Sequence, residues 1–160
     1  MPNKIIKDGA VIDDDWQIVD AEATDLPDGA VIIPLSLWNQ KKDSLAQRGQ
    51  LGIWLDSDES PQLITDSLAS FEVIAINFPA FGDGRGFTYG RELREQHDYQ
   101  GEIRAIGGFM RDQLFFLKRC GFNAFALNGV DLDTALASFT DFSDAYQAAI
   151  DQPEPLFKRR

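Results

Sequence analysis

From Ala30 onward, short apolar runs rich in β-prone residues alternate with stretches whose apolar positions recur at helical spacing. Residues 30–35, 51–55, 73–78, 102–106 and 123–127 read as strands. Helices are predicted over 36–47, closing at Gly49, and from Pro61 to about Ser70 with Ser60 as N-cap. A third runs from the glycine-rich stretch after Phe78 to near Gly101, a fourth from Gly108 to Arg119 before Gly121, and a last from a cap at Asp131 to about Ile150. Ahead of this pattern, residues 4–20 hold two apolar stretches around Asp8-Gly9, the signal of a β hairpin. The run Asp13-Asp14-Asp15 reads as a second turn and a solvated edge, because it lacks the spacing of a calcium loop.

Strands and helices alternating across short loops imply right-handed crossovers, hence an α/β fold with a largely parallel sheet of about five βα units. An open three-layer sheet is the first expectation and a partial barrel the second. The whole forms one domain over residues 1–152 with an N-terminal β hairpin, followed by an extended basic tail at 153–160. In either architecture the loops that follow the strands share one edge, where ligands sit. That edge collects Ser36, Asn39, residues 56–60, residues 82–85, Gly107, Gly108, Arg111 and Asn128.

The most chemically loaded of these loops is Gly82-Asp83-Gly84-Arg85-Gly86. Alternate glycines let a ligand approach the backbone N–H groups, and the positive end of the following helix favours an anion. Gly107, Gly108 and Arg111 complete the candidate anion-binding set. Neither nucleotide-binding fingerprint is present, and the plain alternative is a tight crossover turn with solvated arginines. On a helical wheel Arg91 and Arg94 flank Phe87, away from the core. In the next helix Phe115 falls among Arg111, Asp112, Lys118 and Arg119, where it requires cover from the chain or a partner. Phe87, Arg91, Arg94, Phe115, Lys118 and Arg119 are therefore the candidate partner-binding residues.

Charge sharpens this reading. The 160-residue chain carries −11, which argues against nucleic acid and anionic membranes as partners. Residues 79–122 nevertheless hold seven Lys/Arg against six acids, an electropositive island on an acidic protein. One cysteine, Cys120, and no long apolar run fit a cytoplasmic protein; Cys120 reads as a buried small hydrophobe. His97 reads as a dipole partner at a helix end or a core-edge histidine, and Trp38 and Trp54 as packing residues.

The string FPAFGDGRGFTYGRELREQHDYQGEIRAIG, followed by RDQLFFLKRCGFNAFAL, resembles the bacterial domain of unknown function 934, densest over residues 78–127. Phe109-Met110 departs from that family's pattern before Arg111. The resemblance implies a setting in assimilatory sulfite reduction beside the sulfite reductase haemoprotein, and it implies no catalytic residues. One cysteine cannot hold an iron–sulfur cluster and one histidine offers a single axial ligand, so no cofactor and no metal site are expected.

Two functions follow as expectations. The first is an accessory protein docking the haemoprotein or its electron donor. The second is a small enzyme or sensor that binds a sulfur or phosphate oxyanion at the glycine loop, with Asp83 or Asp56 as a base. A flavin-binding domain is a third reading, and self-association into a homodimer is left open by the sequence.

Overall fold

A computed structural model describes residues 3–22, 26–78, 85–109, 113–127 and 132–137. The chain begins with strands β1 (Asn3–Lys7) and β2 (Ala10–Asp14), paired antiparallel through the expected turn at Asp8 and Gly9, both in the left-handed region. A two-residue strand β3 (Gln17–Ile18) follows, and then the alternating series: β4 (Val31–Pro34), α1 (Leu35–Leu45), β5 (Leu51–Leu55), a 3₁₀ segment (Pro61–Ser70), β6 (Val73–Phe78), α2 (Arg85–Glu95), β7 (Glu102–Gly107), α3 (Leu114–Arg119), β8 (Ala124–Phe125) and α4 (Leu132–Ala137). The helix expected to reach Ile150 and the 153–160 tail lie beyond the described residues.

All eight strands form one sheet in the order β2-β1-β8-β7-β6-β5-β4-β3. Strands β3 to β8 are parallel, and the hairpin joins antiparallel at β8. From β4 to β8 the strands follow one another in sequence order, so every crossover advances the same way. Crossovers of one hand that never reverse direction put their helices on one face. The three-layer expectation is therefore overturned, since helices on both faces require the winding to reverse. The count of about five βα units is likewise corrected to an eight-stranded mixed sheet, mostly parallel, one of whose connections is 3₁₀.

The sheet curls into a half-barrel. Strands β2 and β3 occupy opposite edges, yet only Asp15 and Trp16 separate them in sequence. Laid flat, eight strands would hold those edges about 34 Å apart. Three Cα steps reach at most about 11 Å. Curling is the only way to satisfy both.

The two faces differ accordingly. The convex face carries the main core, where Ile33, Ile53, Ile74, Ile76 and Phe125 meet Trp38, Leu93, Leu114, Leu117 and Phe122 from the helices and loops. Trp38 packs edge-on to Phe71, as a packing residue should. The concave face has a smaller apolar patch of Ile32, Val73, Ala75 and Ile106, edged by Trp16, Trp54 and Ala126. Beside it lies Arg104, a buried arginine on β7.

Candidate functional site

Sequence order within the parallel strands puts the loops after β5, β6 and β7 at one rim, the C-terminal edge of the half-barrel. Leu55 ends β5 and the chain turns at once through Asp56 and Ser57. Ser57 N–H donates to Asp56 Oδ1 at 2.8 Å, and Asp56 N–H donates to Glu59 Oε1 at 2.8 Å. These local bonds satisfy the backbone where the strand stops and hold both carboxylates in place. Ser60 then caps the 3₁₀ segment, accepting from Gln62 N–H with Pro61 in the first position, as the sequence predicts.

Asn77, near the end of β6, donates from Nδ2 to Asp56 Oδ1 at 3.1 Å and so ties the two strand ends together. Gly107 ends β7 with φ +90°, and a Cβ there would strike the Asn77 carboxamide oxygen and sit 2.7 Å from Phe78 O. Glycine at this position is what lets the three strand ends close up. Gly108 N–H donates to Phe78 O across the same seam. At the head of α2, Arg85 Nη2 donates to Ser57 Oγ at 3.2 Å, while Tyr89 one turn on donates its hydroxyl to Ser57 O at 2.6 Å. The rim thus assembles an Asp56–Asn77 pair, a neighbouring Glu59 and a guanidinium.

Burial pushes the Glu59 carboxyl above its ordinary value. The charges of Asp58 and Asp56 push it further the same way, and the Asp56 N–H bond offsets part of this. A carboxyl raised in this manner beside a second carboxylate is suited to holding or passing a proton.

The sequence-predicted residues divide clearly. Arg85, Gly107 and Gly108 meet at the rim with Asp56; Gly82, Asp83, Gly84 and Arg111 lie outside the described residues. Gly86 is a packing glycine: a Cβ there would fall on the Phe78 ring, so its absence lets α2 lie close on β6. Asn77 and Tyr89 were not singled out as site residues by the sequence, whereas Glu59 lies in the 56–60 loop expected at this edge. Only the alternation along β6, which puts Asn77 on the face opposite Ile76 and Phe78, could have indicated the first.

The expected partner-binding set does not form one exposed face. Arg94 turns inward, donating to Tyr99 O at 2.7 Å, Gly101 O at 2.8 Å, Gly121 O at 3.0 Å and Asn123 Oδ1 at 3.4 Å. Burial lowers its pKa accordingly. Phe115 is 6% exposed, so the chain itself supplies the cover that the sequence reading required, and Phe116, at 46%, is the exposed ring of the pair. The wheel assumed a continuous helix from Gly108, whereas α3 runs only over Leu114–Arg119 and sets its own phase. Phe116 stacks edge-on against Phe87 with centroids 5.0 Å apart. Arg91 keeps a half-exposed pair with Glu95 at 3.6 Å, Lys118 is exposed, and Arg119 is half-buried. His97, two residues beyond the end of α2, pairs with Glu92 at 3.4 Å. The acidic run is also corrected: Asp14 is an ion-pair partner of Arg104, not a solvated edge.

A family model matches residues 52–157, which takes in every rim residue just described, and its description is bacterial protein of unknown function (DUF934). The chain belongs to the DUF934 family. No curated protein and no solved structure matches this DUF934 chain significantly. Among its described residues no helix is long and apolar enough to cross a membrane, and no group of three His, Cys, Asp or Glu side chains is placed to hold a metal ion.

Proposed function

We propose that this DUF934 protein binds a small sulfur or phosphate oxyanion at the C-terminal rim and serves assimilatory sulfite reduction as an accessory of the sulfite reductase haemoprotein. The pathway rests on the family resemblance. The site rests on one observation: Arg85, at the head of α2, is held by Ser57 beside the Asp56–Asn77 pair, at the edge where parallel half-barrels and barrels take their ligands. A guanidinium clamps an oxyanion with two parallel N–H donors. The family-model match over residues 52–157 covers this site in full.

Titration calorimetry with sulfite, sulfate, phosphate and adenylylated sulfate tests the site. One of these anions should bind, and Arg85→Ala should weaken it by about tenfold or more, the cost of losing a charge-assisted bidentate contact. Heat from none of the four sinks the oxyanion reading. Co-purification of the haemoprotein with the tagged chain from cells grown on sulfate tests the pathway separately, and its absence leaves the site reading standing alone.

A second reading draws on Glu59. With its carboxyl pushed up by burial and Asp56 hydrogen-bonded beside it, the rim has the elements of an acid–base pair, and the protein would then be a small enzyme acting on the bound anion. Glu59→Gln separates the two: binding retained with turnover lost marks an enzyme, and turnover absent in the wild type marks a binder or sensor.

A further inference from the structure

We infer, on the footing of the oxyanion reading above, that the rim selects oxyanions that carry a proton, of the hydrogensulfite and hydrogenphosphate class, against fully ionised ones such as sulfate. The Asp56 carboxylate makes the choice. Asp56 is half-buried where the chain leaves β5, and its orientation is fixed from two sides. Oδ1 takes the Ser57 N–H at 2.8 Å and an Asn77 Nδ2–H at 3.1 Å, so the loop and β6 both bear on one oxygen. The other oxygen, Oδ2, takes no hydrogen bond from a described residue, and no described cation pairs with this carboxylate. Its neighbour Ser57 is the residue whose hydroxyl holds Arg85. An anion seated on Arg85 is thereby brought against a carboxylate that is fixed in place and has an acceptor to spare.

Hydrogen-bond chemistry then discriminates. An ionised carboxylate accepts and cannot donate. The oxygens of sulfate and of adenylylated sulfate carry no proton near neutral pH, so beside Asp56 they set acceptor against acceptor, and both oxygens lose water without gaining a partner. Sulfite and phosphate exchange a proton in that range. Their protonated forms turn one oxygen into a donor, which the carboxylate takes in a charge-assisted bond while Arg85 holds the unprotonated oxygens.

The field at the loop points the same way. Three carboxylates, Asp56, Asp58 and Glu59, stand on it beside Arg85. From α2, Glu92 reaches the end of the loop 3.5 Å from Ser60 Oγ and is shared with His97 at 3.4 Å. Burial, and after it the charges of Asp58 and Asp56, already holds the Glu59 carboxyl above its ordinary value. The same charges act on a proton carried by a ligand and favour a singly charged anion over a dianion. Arg85 supplies the attraction, and the carboxylates choose among the anions it attracts.

Titration calorimetry of the full chain with phosphate, sulfite and sulfate tests this. At pH 8, where sulfite and phosphate are mostly dianions in solution, binding of either should take protons up, seen as a heat that changes with the ionisation enthalpy of the buffer. Sulfate should bind at least about tenfold more weakly than the better of the two. Asp56→Asn keeps an oxygen for Ser57 and Asn77 and turns the open edge into a donor, so it should tighten sulfate about tenfold and bring the three anions close in affinity. The inference is overturned, with the oxyanion reading intact, if the wild-type chain binds sulfate as tightly as phosphate and sulfite, if these two bind with no proton uptake, or if Asp56→Asn leaves the preference unchanged. Heat from none of the three removes the oxyanion reading and the inference with it.

Discussion

Arg104 Nη1 lies 3.0 Å from Asp14 Oδ2, although strands β8 and β1 stand between the two strands that carry them. The bond runs across the concave face. It joins β7 of the parallel sheet to β2 of the hairpin, two strands that are not neighbours in the sheet. Arg104 is 1% exposed, and Glu102 on the same strand takes its Nε at 2.7 Å. Removing one partner of such a cluster leaves a charge buried without compensation, which costs more than the pair itself contributes. Asp14→Ala is therefore expected to destabilise the protein by about 3 kcal/mol in urea denaturation. Hydrogen exchange should quicken first in β1 and β2. A loss under about 0.5 kcal/mol would mean that the hairpin holds its place by apolar packing alone.

Arg91 and Arg94 look alike in sequence and behave differently in the fold. Arg94 gathers carbonyls from the segments that precede β7 and β8, so Arg94→Ala orphans Tyr99 O, Gly101 O and Gly121 O and should cost about 3 kcal/mol. Arg91 holds one half-exposed pair with Glu95, and Arg91→Glu should change stability by less than about 1 kcal/mol. Thermal or urea unfolding of the two single variants separates them. A charge-reversed pair at both positions would report unfolding and not docking, so a partner surface is better probed at Phe116.

Gly107→Ala should be the most damaging single-methyl change at the rim. Its φ of +90° already strains any side chain, and the added Cβ would push the Asn77 carboxamide off Asp56. A loss of about 2 kcal/mol or more is expected, together with loss of any ligand bound beside Arg85. Oxyanion calorimetry on this variant at a temperature where it stays folded checks the second part. Unchanged affinity would place the ligand away from the β6–β7 seam.

Much of this arrangement is legible in residues 30–127 because each strand there is a short apolar run bounded by turn or capping residues, and Asp8-Gly9 announces its hairpin unaided. The rim could be anticipated from the same rule, since loops after parallel strands must share an edge. Curvature could not. Whether five crossovers wind one way or reverse depends on which strands pair, and no local pattern encodes that. The Arg104 cluster was missed for a related reason: the Glu102-x-Arg104 spacing marks two charges on one strand face, but only the curled sheet brings Asp14 within reach. The exposure of Phe115 and Phe116 departs from the wheel because helical phase was carried from Gly108, and Gly108 and Phe109 lie outside any helix.

Glu59 gives stability a pH dependence of definite sign. Its folded-state pKa is raised from the ordinary 4.5, chiefly by burial, so the native chain binds its proton more tightly than the unfolded chain does. The stabilisation is complete below the unfolded value and disappears as pH rises through the folded one. Ionised Glu59 is thus a liability at neutral pH. Glu59→Gln keeps an oxygen for Asp56 N–H and removes the charge, so its melting temperature at pH 7 should equal or exceed the wild type's. The difference between the two should shrink as pH falls through the raised folded value toward 4.5, and change no further below it. A variant less stable at pH 7 would show that the carboxylate is held by a cation not yet accounted for.

Cys120 offers a readout of the convex core. It is 1% exposed, and burial pushes its thiol pKa up even though the Arg91 guanidinium nearby pulls the other way. A thiol that is both covered and protonated reacts only when the structure opens. An aromatic disulfide reagent at pH 8 should therefore modify the native chain slowly, at a rate that follows global unfolding as urea is added, and should find one thiol per chain once it is denatured. Cys120 lies where α2 crosses the segment leading into β8: a Cβ on Gly90 would sit 3.0 Å from Cys120 O and fall on the Phe122 ring. Gly90→Ala should wedge this contact, cost about 2 kcal/mol, and accelerate labelling by the factor its stability loss dictates. Labelling that stays fast and independent of urea in the wild type would mean that α2 separates from the sheet without unfolding it.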